Sequence, residues 1–270
     1  MGIAMFEYFW KQQDDIPAGM GYPLFGVAHL LSVAITLFFV VILARWIMGP
    51  GAAKRARILR GIPLFMVGLE VFKDLFLVSV GRFGIGYLPL HICSIGIFVF
   101  LLREAGSRRR PLWQWVRDVF GEIAFILIMP ASFTALIFAD WTVYYPVLNF
   151  MNIYSYIWHG LLILYPVVLW LTGEVSPSIR HVHCVLLFLC VVVPPIYAFD
   201  KHFGCNYFFV NWPVPGSPLS WLSSFMGNPG YLVGYALLTL AVILLMYLGV
   251  WAAGKCIFGD RSSDTKPVSL

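Results

Sequence analysis

The sequence predicts an all-α integral membrane protein, a bundle of seven transmembrane helices with the N-terminus outside and the C-terminus cytoplasmic. Three observations predict it. First, 60% of the 270 residues are hydrophobic and only 11% are charged, against about 25% charged in a soluble domain. That much apolar side chain exceeds what one globule of this length hides, so some of it faces lipid. Second, seven segments approach the roughly 20 apolar residues that a bilayer crossing needs. Third, Lys and Arg fall almost wholly on one side of those segments.

The segments run over about 24–48, 62–80, 88–102, 119–139, 152–171, 182–199 and 230–254. The third is short. The fourth and sixth contain Pro130 and Pro194-Pro195, which predict kinks whose freed carbonyls neighbouring helices satisfy. The chain then divides into an extracellular segment 1–23, a membrane domain 24–258 and a cytoplasmic tail 259–270. Residues 1–23 are mixed and partly acidic and do not read as a signal peptide.

Orientation follows from the loops. With the N-terminus on one side, the opposite side carries Arg45, Lys54, Arg55, Arg57, Arg60, Arg103, Arg108, Arg109, Arg110, Arg117, Arg180, Lys255, Arg261 and Lys266. The N-terminal side carries only Lys11, Arg82 and Lys201. The positive-inside rule makes the crowded side cytoplasmic, and a multi-pass protein of the cell membrane the expectation. The connection at about 200–229 is the longest, and its Pro and Gly predict a folded-back cap with a short interfacial helix at 218–226. Trp141, Tyr144, Tyr145, Tyr207, Trp212 and Trp221 read as interfacial anchors.

Basic residues form no arginine–aromatic stripe and no zinc-finger spacing, so nucleic acid is not an expected partner. The five cysteines show no CxxC pair and no disulfide framework. His181, His183 and Cys184 sit at the cytoplasmic start of the sixth segment and read as interfacial surface. Lys255 lies too near a helix end to be a buried Schiff-base lysine.

Ionisable groups inside a membrane cost at least about 2–3 kcal/mol each and are functional candidates. His29, Asp74, His91, Cys93 and His159 all fall roughly 5–11 Å below the outer boundary at 1.5 Å rise per residue. Four helices thus place imidazole, thiol and carboxylate in one layer. In GYLPLHICSIG, Pro89 suits a first helical turn and Cys93 lies near a helix N-terminus, where unpaired amides favour a thiolate. Residues two apart on a helix do not face each other, so His91 is a poor base for Cys93. His159 is the first choice of base and His29 the second; His91 is left to bind a phosphate or to orient the base. Glu70, Lys73 and Asp74 in GLEVFKDLF read either as an internal ion pair or as the carboxylate that orients a catalytic imidazole.

The strings LPLHICS, YSYIWHGLLILYPVVLW, PPIYAFDKHFGCNYFFVNWP and GNPGYLVGYALL resemble the bacterial YwaF-type integral membrane proteins, a group that resembles the eukaryotic transmembrane protein 164 acyltransferases. The resemblance covers about residues 20–250. It implies seven spans and cysteine-dependent transfer of a fatty acyl chain from a diacyl phospholipid to a lysophospholipid. By position, it implies Cys93 as nucleophile and His159 as its partner. The expected function is therefore a membrane-embedded transacylase with phospholipid and lysophospholipid substrates and no cofactor. Asn206 or backbone N–H groups near the start of the third span are candidate oxyanion donors. Two other readings stay open: a metal-dependent membrane hydrolase using His29, His91, His159 and Asp74, and a transporter or lipid-binding protein coupled through Glu70, Lys73 and Asp74.

Overall fold

The computed structural model describes residues 6–105 and 110–258, with side chains described as far as Ala253. The expected tail at 259–270 lies outside the described residues. The described elements are helical: α1 (Val27–Met48), α2 (Ala52–Ser79), α3 (Ile92–Ala105), α4 (Pro111–Ile123), a π-helical turn (Ala124–Ile128), α5 (Met129–Ile137), α6 (Phe150–Leu171), α7 (Val182–Phe203), α8 (Pro218–Met226) and α9 (Tyr231–Phe258).

Among the described residues, five helical stretches are both long and apolar enough to cross a membrane: Val27–Met48, Pro111–Val143, Phe150–Leu171, Ile179–Phe203 and Tyr231–Ala253. The protein is therefore a multi-pass helical membrane protein, and the expected seven crossings are met in five. The other two segments fall short for different physical reasons. α2 has 28 residues, but Glu70, Lys73 and Asp74 interrupt its apolar half. α3 has 14 residues, about 21 Å at 1.5 Å per residue, against a hydrocarbon core of about 30 Å.

Packing centres on α6, the most buried long helix, with α1 and α5 against most of it and α2 and α3 against shorter stretches. Gly160 lets α1 come close, because a Cβ there would stand 3.1 Å from the Thr36 methyl carbon. The buried π-helical turn Ala124–Ile128 directly precedes α5 and Pro130. Proline lacks an N–H and crowds the preceding turn, and a wider turn there accommodates it. Pro89 does not begin α3: that helix starts at Ile92, after a 3-10 turn at Ile85–Tyr87.

Residues 6–26, 80–91, 138–149 and 204–230 meet at one end of the bundle. Arg82 donates to both carboxylate oxygens of Asp15, and Asn149 Nδ2 donates to the carbonyls of Tyr8 and Lys11. Tyr207 Oη donates to the Ile85 carbonyl at 2.5 Å. The short helix Pro218–Met226 lies in this layer, capped by Ser217.

The opposite end is held by a buried charge network. The guanidinium of Arg103, 1% exposed, contacts Glu104, Tyr165 and Glu174. Arg117 also reaches Glu174 and donates to the Arg103 carbonyl. Glu122 accepts from Tyr247, the Ser178 N–H and His181.

Candidate functional site

α3 and α6 run side by side in the same direction, and three contacts define their register. A Cβ on Gly96 would lie 2.6 Å from Leu162 Cδ2. Phe100 stacks on Tyr165 with ring centroids 4.2 Å apart. The Arg103 guanidinium lies 5.8 Å from the Tyr165 ring centre. One helical turn from Gly96 toward the N-terminal segment is Cys93, and one turn from Leu162 in the same direction is His159. The register thus places these two at one level on neighbouring helices.

Cys93 is the second residue of α3 and half-buried against the main core. Among the described residues, no hydrogen bond joins its sulfur to an imidazole, and it is a free cysteine. It lies within electrostatic range of Glu70 and Tyr154.

His159 is buried and held on two sides. Its Nδ1 lies 2.7 Å from the Ser155 carbonyl. A carbonyl only accepts, so Nδ1 carries the proton and Nε2 keeps its lone pair. The Trp141 indole lies parallel to the ring at 5.2 Å, and Trp141 Nε1 donates to Asn152 Oδ1. Asn152 also accepts from Tyr22, so residues far apart in sequence fix one indole.

Beside Cys93 lies an ion cluster. Glu70 accepts from Lys73 at 2.7 Å and from Tyr154 Oη at 2.6 Å. Lys73 is also 3.2 Å from Asp74 Oδ1. The two carboxylates flank one ammonium, and Tyr154 ties the cluster to the helix that bears His159.

The structure places the remaining candidates differently. His29, 1% exposed, accepts from the Phe25 N–H through Nδ1 and donates from Nε2 to the Leu136 carbonyl. Nδ1 thus holds the turn that leads into α1, and Nε2 ties α1 to α5. His91 packs against Tyr207 and Phe209 and lines an outer cavity of about 380 Å³ with Asp140, Cys205 and Asn206. It is within electrostatic range of His159 and Lys73, so it stands between the cavity and the deeper pair. Asn206 spends its side chain on its own loop: Oδ1 accepts from the Asn211 and Trp212 N–H groups, and Nδ2 donates to the Trp212 carbonyl. Outside the membrane layer, burial pushes the Cys205 thiol up, as it does the Tyr207 phenol.

Among the described residues, no three His, Cys, Asp or Glu side chains gather in a metal-binding arrangement. The ligand set expected for a metal-dependent hydrolase is dispersed, His29 being the clearest departure. Sequence reasoning did not identify Trp141, Tyr154, Ser155 or Asn152 as parts of the site. The i−4 spacing of Ser155 from His159 was the one available signal.

No curated protein and no solved structure gives a significant match to the chain. Residues 24–247, covering every described element from α1 through most of α9, match the TMEM164 family, and the chain belongs to that family.

Proposed function

We propose that this protein is a seven-span bacterial plasma-membrane transacylase that moves fatty acyl chains between phospholipids through Cys93 and His159. The parallel register of α3 and α6 carries this reading, because it sets a thiol at a helix start level with an imidazole whose Nε2 is free. Family membership supports it.

His159 Nε2 takes the Cys93 proton, and the thiolate attacks the ester carbonyl of a diacyl phospholipid. The ester C–O bond breaks, a thioester forms, and the leaving alkoxide takes the proton back from His159 as a lysophospholipid. The hydroxyl of a second lysophospholipid then gives its proton to His159 and attacks the thioester. The new ester leaves and the Cys93 thiol is restored. Backbone N–H groups at the start of α3 are the donors nearest the developing oxyanion. His91, in the lining of the outer cavity, takes the phosphate side of the substrate.

The seven-span arrangement draws support from the gathering of alternate loops at opposite ends of the bundle. The concentration of Arg and Lys at the Arg103 end supports a cytoplasmic assignment for it.

The test is turnover of labelled diacyl phospholipid and lysophospholipid by full-length protein in nanodiscs. Cys93→Ala and His159→Ala are expected to lose at least about 100-fold, with an acyl thioester trapped on Cys93 in the wild type. Unchanged turnover in both variants overturns the reading.

A further inference from the structure

A second cavity, of about 630 Å³, lies between α7 and α9. Its walls are apolar, including Leu186, Val193, Tyr197, Phe208 and Ile243. Cys190 and Ala236 line it and are exposed, so the cavity is a cleft open toward the bilayer side of two spanning helices. Leu186 and Tyr197 mark its ends along α7. At 1.5 Å per residue that is about 16 Å, roughly half of a 30 Å hydrocarbon core, or the depth of one leaflet.

A cation stands at the end of the cleft nearer the N-terminal segment. Lys201 Nζ lies 5.3 Å from the ring centre of Tyr197, one turn beyond the cleft and at the end of the spanning helix. Among the described residues, its hydrogen-bond partner is the neutral Asn211 side chain at 2.7 Å, and the carboxylate within its electrostatic range is Asp200. The neighbouring Asp200 is fully buried and offers no surface to a head group. An apolar slot one leaflet deep, topped by an exposed ammonium, is complementary in both length and charge to a phospholipid.

We propose that the cleft between α7 and α9 holds one acyl chain of a phospholipid whose phosphate is taken by Lys201. Ile92 and Ile95 of α3 pack on the hydrophobic cluster that includes Phe208 of the cleft wall. It is a binding site distinct from the Cys93 pair, and its occupancy is measured without any turnover.

The experiment is native mass spectrometry of the full-length protein in detergent with palmitoyl-oleoyl phosphatidylglycerol, beside a diacylglycerol with the same chains. One phosphatidylglycerol is expected to stay bound and the diacylglycerol to be lost. Lys201→Ala is expected to weaken retention about tenfold, as for loss of one charge-assisted contact, and Lys201→Arg to keep it. Ala236→Trp fills the cleft from an exposed position and is expected to abolish retention. A readout on the unaltered protein accompanies it: phosphatidylglycerol slows alkylation of Cys190 by a lipid-soluble maleimide. Equal retention of the two lipids, or Cys190 alkylation indifferent to phosphatidylglycerol, overturns the proposal.

Discussion

The indole of Trp141 lies flat against the imidazole of His159, the planes 5° apart and the ring centres 5.2 Å apart. The indole is itself anchored through Nε1 to Asn152. With Nδ1 tied to the Ser155 carbonyl, the ring is left one free nitrogen and little freedom to rotate. Trp141→Leu removes the flat support and keeps apolar bulk. Turnover of phospholipid is expected to fall about tenfold with KM little changed, the pattern for loss of positioning in the transition state. Trp141→Phe restores most of the rate. An equal rise in KM and no change in kcat counts against this role.

Gly96 of α3 faces Leu162 of α6 across a close approach. A Cβ there stands 2.6 Å from Leu162 Cδ2 and 3.1 Å from Ile128 Cγ2. Gly96→Ala is absorbed by a turn of the Leu162 side chain. Gly96→Val meets both neighbours, and overpacking of this kind costs about 1–3 kcal/mol. It also pushes Cys93 away from the level of His159, so turnover drops more than stability does. Melting and activity measured on the same preparations separate the two effects.

The Glu70–Lys73–Tyr154 cluster predicts a graded series. Tyr154→Phe leaves Glu70 Oε2 without its donor at 2.6 Å, a loss of about 1–3 kcal/mol. Lys73→Met leaves the buried Glu70 carboxylate without its ammonium at 2.7 Å, a loss of about 3–5 kcal/mol. The double change Glu70→Leu with Lys73→Met is expected to be milder than Lys73→Met alone. Denaturant melts in mixed micelles check the order, and a double variant worse than Lys73→Met argues against charge compensation.

The N-terminal segment is latched by an exposed ion pair. The Arg82 hydrogen bond holds the Asp15 carboxyl below the usual carboxylate range. A depressed carboxyl contributes above its unfolded value, near about 3.9, and that contribution is lost as acid protonates the folded group. Trp10, packed between Phe76 and Phe150, reports on the latch. The fluorine NMR signal of fluorotryptophan at position 10 is expected to hold steady from neutral pH to about 5 and to move below about 4. Asp15→Asn gives the displaced signal throughout, and added salt moves the wild type toward it.

Apolar runs announced the long helices, and the Pro and Gly around 218–226 announced the short α8, because both signals are local. The start of α3 at Ile92 was less legible. Pro89 fits a first helical turn, yet the 3-10 turn at Ile85–Tyr87 uses the preceding residues otherwise. Cys93 and His159 stood out as polar groups inside apolar segments. Their supports did not: Trp141 reads as an ordinary interfacial aromatic until α5 and α6 pack. His29 shows the converse. Depth alone grouped it with the site, while its two hydrogen bonds, one to a carbonyl 107 residues away, assign it to packing. The Arg103–Glu174 contact spans 71 residues and leaves no periodic trace.

Phe208 and Phe209 both adopt positive φ, 54° and 56°, a conformation that costs a non-glycine residue about 1–3 kcal/mol. The Tyr231 hydroxyl donating to the Phe209 carbonyl helps hold it. Through this bend, Phe208 borders the oily cleft and Phe209 borders the His91 cavity. The two cavities therefore share this bend of the chain in their linings. Glycine at 208 would lower the backbone cost of the bend and remove one aromatic ring from the cleft wall.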